Sequence, residues 1–441
     1  MVPTIPPELW LRTAQFIPAS ILRNLYSVNP VFLDLALNGR YTDINLAVQW
    51  TAPTTKLLKH LNHPHIAHRV QRITLSSNWL ESNLYLGPSE EVTLRTTVAW
   101  YLPFDLGRFI DPIVRRISDV KTCNALMETT IVNFPNVLSL IIVDGGPSSQ
   151  TRPSPLLVNA YTACASNLRR LSLFATSANF DALFPPNASA LTSLEEFTLS
   201  FSPREDSKAD AKVASTFFQA VASTLASLDI SFHGTSDEPS RLLQSLPRKT
   251  FPKLTSVLLF HSDPPASPDS DLIQFLNQHA DTLKHLRLRH TKTSPFASDD
   301  LDPLLLPVLP HLETLNILNG PSQELASSEG LHAARAYVQH SGSTLTSLSL
   351  KHCSFTLHDL GMLLDLLGRG SSEGGGLKSL TVTIHALSPQ MLDMMAEKLP
   401  QLERLKVDFA DLRSNDGEGS RAGFGDLTHE VRSFFFFFCP I

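Results

Sequence analysis

Four histidines crowd the stretch HLNHPHIAH, at positions 60, 63, 65 and 68. Imidazoles so placed suggest a divalent metal, which needs three or four ligands converging within about 2 Å of one ion. No nearby carboxylate or cysteine completes a known ligand spacing, so His60, His63, His65 and His68 read as part of a connecting helix and no metal is expected. The glycine-rich GRGSSEGGG, residues 368–376, lacks the lysine followed by serine or threonine that a phosphate cradle uses, and reads as a loop. No serine sits in a Gly-x-Ser-x-Gly elbow. Cys123, Cys164, Cys353 and Cys439 are scattered, form no Cys-x-x-Cys pair and have no identifiable histidine partner. The expectation is a binding protein that is not an enzyme, with no catalytic residue and no cofactor.

Binding chemistry resides instead in side chains spaced two apart, as in TLKHLRLRH, where His285, Arg287 and Arg289 alternate with leucines. Alternation of this kind marks a strand that points one set inward and the other outward. The elements that would position these groups recur along the chain. NLRRLSL, SLEEFTL, TLASLDI, KLTSVLL, TLKHLRL, HLETLNI, TLTSLSL, GLKSLTV and QLERLKV share one pattern: an apolar residue, two others, an apolar residue, one other, an apolar residue. Their leading positions run from Val137 in NVLSLII through Leu168 and Leu194 to Leu402, 25 to 33 residues apart. Between them lie stretches such as DAKVASTFFQAVASTL and SPQMLDMMAEKLP with apolar residues at helical spacing. One strand and one helix cannot bury their faces alone, whereas stacked copies share a continuous core.

The chain has 441 residues and a formal charge of -6, which gives no general argument for a nucleic acid or an acidic membrane as partner. The scattered cysteines fit a reducing compartment, and no apolar stretch reaches the roughly 18 residues of a membrane span. A cytoplasmic or nuclear location is expected, with neither nucleic acid nor membrane as partner.

The repeat period resembles the leucine-rich-repeat class, most nearly its ribonuclease-inhibitor-like type. That resemblance implies an α/β fold, a curved parallel sheet with outer helices, over residues 134–410. The turn position past each strand, asparagine or cysteine in that class, holds Cys353 in one copy and other residues elsewhere, so the ladder is degenerate. An earlier copy, RVQRITLSSN, begins at Val70, and residues 46–133 are assigned to linking helices around it. Residues 411–441, ending in SFFFFFCPI, are expected to be a disordered or incomplete C-terminal tail.

At the other end, IPPELWLRTAQFIPASILRNLYSVNPVFLDLALNGRY reads as three short helices within residues 1–45. Pro6 and Pro7 suit a helix start, Pro18 stops that helix, and Asn29 with Pro30 caps a third. This pattern resembles the F-box, the module that docks into the adaptor subunit of SCF-type cullin-RING ubiquitin ligases. The resemblance implies that Ile5, Pro6, Pro7, Leu9, Ile17, Leu22, Leu25 and Val28 face the adaptor or support that face. Ile5 stands where leucine is usual, and Val31-Phe32 replaces a basic-tryptophan pair. An F-box before a leucine-rich solenoid implies a substrate receptor in ubiquitin-dependent degradation, with the adaptor, and through it a cullin, as partners and an unknown protein as target. The other reading is a free-standing scaffold whose N-terminal helices cap the repeats. On the concave face, Phe174, Leu258, Phe260, His285, Arg287, Arg289, Lys351, Arg404 and Lys406 are the expected target contacts, with Arg287 and Arg289 suited to an acidic or phosphorylated segment.

Overall fold

The computed structural model describes residues 6–22, 24–25, 27–46, 52–76, 123, 125–143, 155–176, 183–202, 211–232, 251–261, 270–290, 308–319, 335, 337–369, 376–412 and 432–437. They fall into two units, Met1–Leu194 and Glu195–Ile441.

The first unit opens with helices α1 (Pro7–Gln15), α2 (Ala19–Leu22) and α3 (Pro30–Tyr41). Pro7 begins α1 where a missing amide hydrogen costs nothing, and Pro18 follows its end. Asn29 caps α3: its side-chain oxygen accepts from the Phe32 N–H at 2.9 Å, with Pro30 next in line. Strands β1 (Asp43–Leu46), β2 (Arg72–Ser76), β3 (Ser139–Val143) and β4 (Arg170–Thr176) then pair in parallel in chain order. Helices α4 (Ala52–Leu61), α5 (Pro64–Ala67) and α6 (Pro155–Cys164) lie between strands in the sequence. Strand β1 straddles residue 45, so the N-terminal helices run straight into the sheet. Its own copy of the repeated phrase starts at Tyr41 and continues through Ile44 and Leu46, all three buried.

The second unit holds β5 (Glu196–Ser202), α7 (Ala211–Val221), β6 (Ser227–Phe232), β7 (Ser256–His261), α8 (Ser270–Gln278), β8 (His285–His290) and β9 (Thr314–Asn319). It continues with β10 (Ser347–Phe355), α9 (Leu357–Arg369), β11 (Ser379–Leu387), α10 (Pro389–Lys398), β12 (Arg404–Leu412) and β13 (Arg432–Phe437). Strands β5 to β12 are parallel and each pairs with the next. Both units are therefore built as α/β repeats, with parallel crossovers that each return to the neighbouring position. β13 differs: it runs antiparallel along β12, with Arg404 opposite Phe437 and Phe409 opposite Arg432. The phenylalanine-rich segment supplies this strand.

Register is set at the strand starts. The Thr255 carbonyl accepts from both Lys284 N–H and His285 N–H at 2.9 Å, the Lys284 carbonyl accepts from Glu313 and Thr314, and the Glu313 carbonyl accepts from Thr346 and Ser347. The same two-donor carbonyl recurs at Thr42, Gln71, Leu138, Glu195, Ala226, Thr346 and Lys378. Equivalent residues are thereby brought side by side, as in Leu228↔Val257↔Leu286↔Leu315.

The inward positions of each phrase form the core: Leu283, Leu286 and Leu288 in one copy, and Leu312, Leu315 and Ile317 in the next, are all buried. Full burial of one such side chain contributes about 1.5–3 kcal/mol. Between β5 and β8, aromatic rings join successive repeats: Phe197 to Phe217 and Phe218, Phe218 to Phe251, Phe251 to Phe275 and His279, with ring centroids 4.7–6.4 Å apart. Among the described residues no helix is long and apolar enough to cross a membrane.

Candidate protein-docking surfaces

Two surfaces, one in each unit, carry unusual side chains. In the first unit the short helices turn apolar residues toward solvent. Leu9 is 51% exposed, Phe16 84% and Val28 57%, and Leu11, Ile21 and Leu33 are also exposed. Pro6 and Pro7 are exposed, while Ile17, Leu22 and Leu25 are half-buried. Ile5 lies outside the described residues. The module is tied together and to the rest of the unit. Trp10 meets the buried Phe32 edge-on, ring centroids 5.3 Å apart, and Arg69 reaches α3 through an ion pair with Asp34 at 2.5 Å and a hydrogen bond to the Asn38 side chain. Arg69 also donates to the His65 carbonyl at 3.0 Å, which ties α3 to the turn before β2. An exposed set of large apolar side chains on short helices and the turns between them, anchored through Phe32 and Arg69, is the form of a docking face.

In the second unit, alternate strand positions face away from the core, and register aligns them in rows. Asp229, Leu258, Arg287 and Asn316 form one row; Ser231, Phe260, Arg289, Leu318 and Lys351 form the next. His285, Arg287 and Arg289 are exposed on β8, and Leu258 and Lys351 are half-buried. Phe260 is not an open contact: it is 5% exposed, and the Arg289 guanidinium carbon lies 4.6 Å from its ring centroid. Neither Arg287 nor Arg289 makes an ion pair among the described residues. Arg404 and Lys406 stand on β12, and Lys406 Nζ lies 3.7 Å from Asp408 Oδ1. Register therefore gathers His285, Arg287, Arg289, Leu258 and Phe260 on adjacent strands and puts Lys351 two strands along. It keeps Arg404 and Lys406 four strands from β8. Phe174 is exposed on β4 of the first unit.

Two polar residues of this face were passed over in the sequence, although they occupy the same outward column as Arg287. Asp229 accepts from the Ser231 hydroxyl at 3.3 Å; burial pushes its carboxyl upward, against the opposing pull of Ser231 and of the Arg287 charge. Asn316 has its side-chain oxygen buried with no hydrogen-bond partner. Its neighbour in register is Arg287.

The histidines His60, His63, His65 and His68 are exposed along α4 and α5, with His68 Nδ1 2.9 Å from the Pro64 carbonyl. Among the described residues no group of three or more His, Cys, Asp or Glu side chains converges to hold a metal. Cys123 and Cys164 are buried, the Cys123 Sγ lying 3.6 Å from the Thr55 hydroxyl oxygen, and burial pushes the Cys164 thiol up to about 12.

Fold and surfaces together define an α/β repeat protein with solvent-facing contact surfaces. No protein-family model matches the chain, and no curated protein matches it in sequence. Among solved structures it is similar to the Rad7 and Elc1 complex in yeast, at 15% identity over 91% of this chain and 92% of that chain, with a TM-score of 0.38. It is also similar to the leucine-rich repeat-containing protein LegL7 from Legionella pneumophila, at 15% identity over 84% of this chain and 90% of that chain, with a TM-score of 0.37. The repeat architecture rests on the strand register itself.

Proposed function

We propose that this chain is a non-catalytic recognition subunit of an SCF-type cullin-RING ubiquitin ligase. Helices α1 to α3 dock on the adaptor subunit, and the outward face of the repeats holds a target protein. The observation that carries the first half is the exposure of Leu9, Phe16, Ile21 and Val28 on a module anchored by Phe32 and Arg69. A module serving only to cap the repeats would bury such residues. The F-box-like pattern of Pro6, Pro7, Leu9, Ile17, Leu22, Leu25 and Val28 supplies the identity of the partner. The chain contributes by raising the effective concentration of target near the charged conjugating enzyme, and no residue of its own bonds covalently to substrate.

The test is the affinity of the purified protein for an SCF adaptor, alongside a Leu9→Asp, Val28→Asp variant. Both positions are exposed, so the fold survives, as circular dichroism will show. Binding by the wild type with at least about tenfold weakening in the variant supports the receptor reading, since each buried leucine or valine contact contributes about 1.5–3 kcal/mol. Absence of binding by the folded wild type overturns it and leaves a free-standing interaction scaffold.

A further inference from the structure

We propose that the face of β7 to β9 binds an extended acidic peptide segment carrying carboxylates at alternate positions, one for Arg287 and one for Arg289. This deepens the receptor reading by stating the chemistry of the target, and rests on that reading only in calling the bound protein a ligase target.

Arg287 and Arg289 lie two apart on one strand and on one face, so their Cα atoms are separated by about 6.6 Å. An extended peptide alongside β8 has the same two-residue repeat, and its alternate side chains meet the two guanidinium groups in turn. The Arg289 head is committed to the Phe260 ring, its guanidinium carbon 4.6 Å from the ring centroid. Stacking occupies a face of that guanidinium and leaves the N–H groups at its edge free to clamp a carboxylate bidentately. Two separate monoanions fit this spacing better than a single phosphate.

The neighbouring strands define where the segment can lie. On the β6 side the carboxyl of Asp229 would repel acidic side chains, and its charge is already coupled to that of Arg287. On the β9 side stands the half-buried Leu318, in register with Arg289, so a segment over β8 and β9 meets an apolar contact beside the two cations.

The experiment uses the full-length protein and three fluorescein-labelled peptides of one Ser/Thr/Val background. One carries glutamates at positions i and i+2, one carries them at i and i+1, and one carries a single phosphoserine. The expected result is binding of the alternating peptide about tenfold or more tighter than either other peptide, as charge-assisted pairs of this kind allow. The preference is lost in Arg287→Glu and in Arg289→Glu, and weakens with added salt. Equal binding of the first two peptides, tighter binding of the phosphoserine peptide, indifference to Arg287→Glu, or no binding of any peptide each overturns the proposal. Adaptor affinity measured on the same Arg287→Glu protein stays at the wild-type level; if the wild type fails to bind adaptor while the alternating peptide binds, the receptor reading fails and this inference stands.

Discussion

Arg289 covers Phe260: the guanidinium carbon sits 4.6 Å from the ring centroid, and the ring is left 5% exposed on a face that otherwise meets solvent. The pair joins β7 to β8 at matched register positions, among neighbours on that face that are exposed or half-buried. A double-mutant cycle with Arg289→Ala and Phe260→Leu, followed by urea unfolding, is expected to give a coupling of about 0.5–1 kcal/mol. A coupling indistinguishable from zero would mean the contact is geometric only.

His279 is buried and its tautomer is dictated by its neighbours. The Phe251 N–H donates to Nε2 at 2.9 Å, so the proton must be on Nδ1, which donates to the Phe275 carbonyl at 2.7 Å. Burial pushes the imidazole below its ordinary value of 6.5, more than the Phe275 bond raises it. The stability this neutral ring contributes is whole above pH 6.5 and is lost as the pH falls from there through the folded value. The loss is at most about 1.4 kcal/mol per pH unit. Urea midpoints between pH 7.5 and 5.5 should fall less steeply for His279→Leu than for the wild type. At pH 7.5 that variant should be weaker by about 1–3 kcal/mol, because the buried Phe251 N–H loses its acceptor. Parallel pH profiles would remove His279 as the titrating group.

Arg69 ties α3 to the turn before β2, through Asp34, Asn38 and the His65 carbonyl. Asp34 is 56% exposed, so the ion pair itself is worth about 1 kcal/mol or less. Arg69→Ala should therefore leave the sheet folded while speeding amide hydrogen exchange in residues 30–41, read by mass spectrometry. Unchanged exchange there would show that Trp10 and Phe32 hold the helices without it.

Strand β13 covers the free edge of β12 with backbone pairs from Arg404 to Phe409. Removing residues 413–441 leaves a nine-residue strand edge, Arg404–Leu412, with unpaired N–H and C=O groups. The shortened protein is expected to self-associate at concentrations where the full chain does not, by sedimentation velocity. A monodisperse truncated chain would show that the edge is protected by other means.

The repeating phrase was visible in the sequence because its leucines recur at fixed offsets, and the strands that follow from it are β2 to β12 of the structure. β1 was hidden because Tyr41 takes the leading place, where the eye expects an aliphatic residue. β13 was hidden for another reason: a run of phenylalanines has no alternation and no turn residue to mark a strand. At the sheet face the basic column could be read residue by residue, but cover could not. Whether Phe260 is open or shut depends on Arg289, 29 positions later, and only register brings the two together. His279 carried no signal either, since its role comes from a backbone N–H 28 residues earlier.

The carbonyl that takes two donors from the following repeat works as a reading frame that is reset once per turn of the chain. Lengths of 25 to 33 residues between leading positions are all accommodated, because any surplus is discharged in the crossover before the next reset. Insertions there leave every later column in phase. Extra residues inside a strand, as between Leu350 and Phe355 where pairing with β11 slips, change the alignment only until the next two-donor carbonyl restores it. Such a chain can lengthen its connections freely while the pattern of charges offered to a partner stays in order.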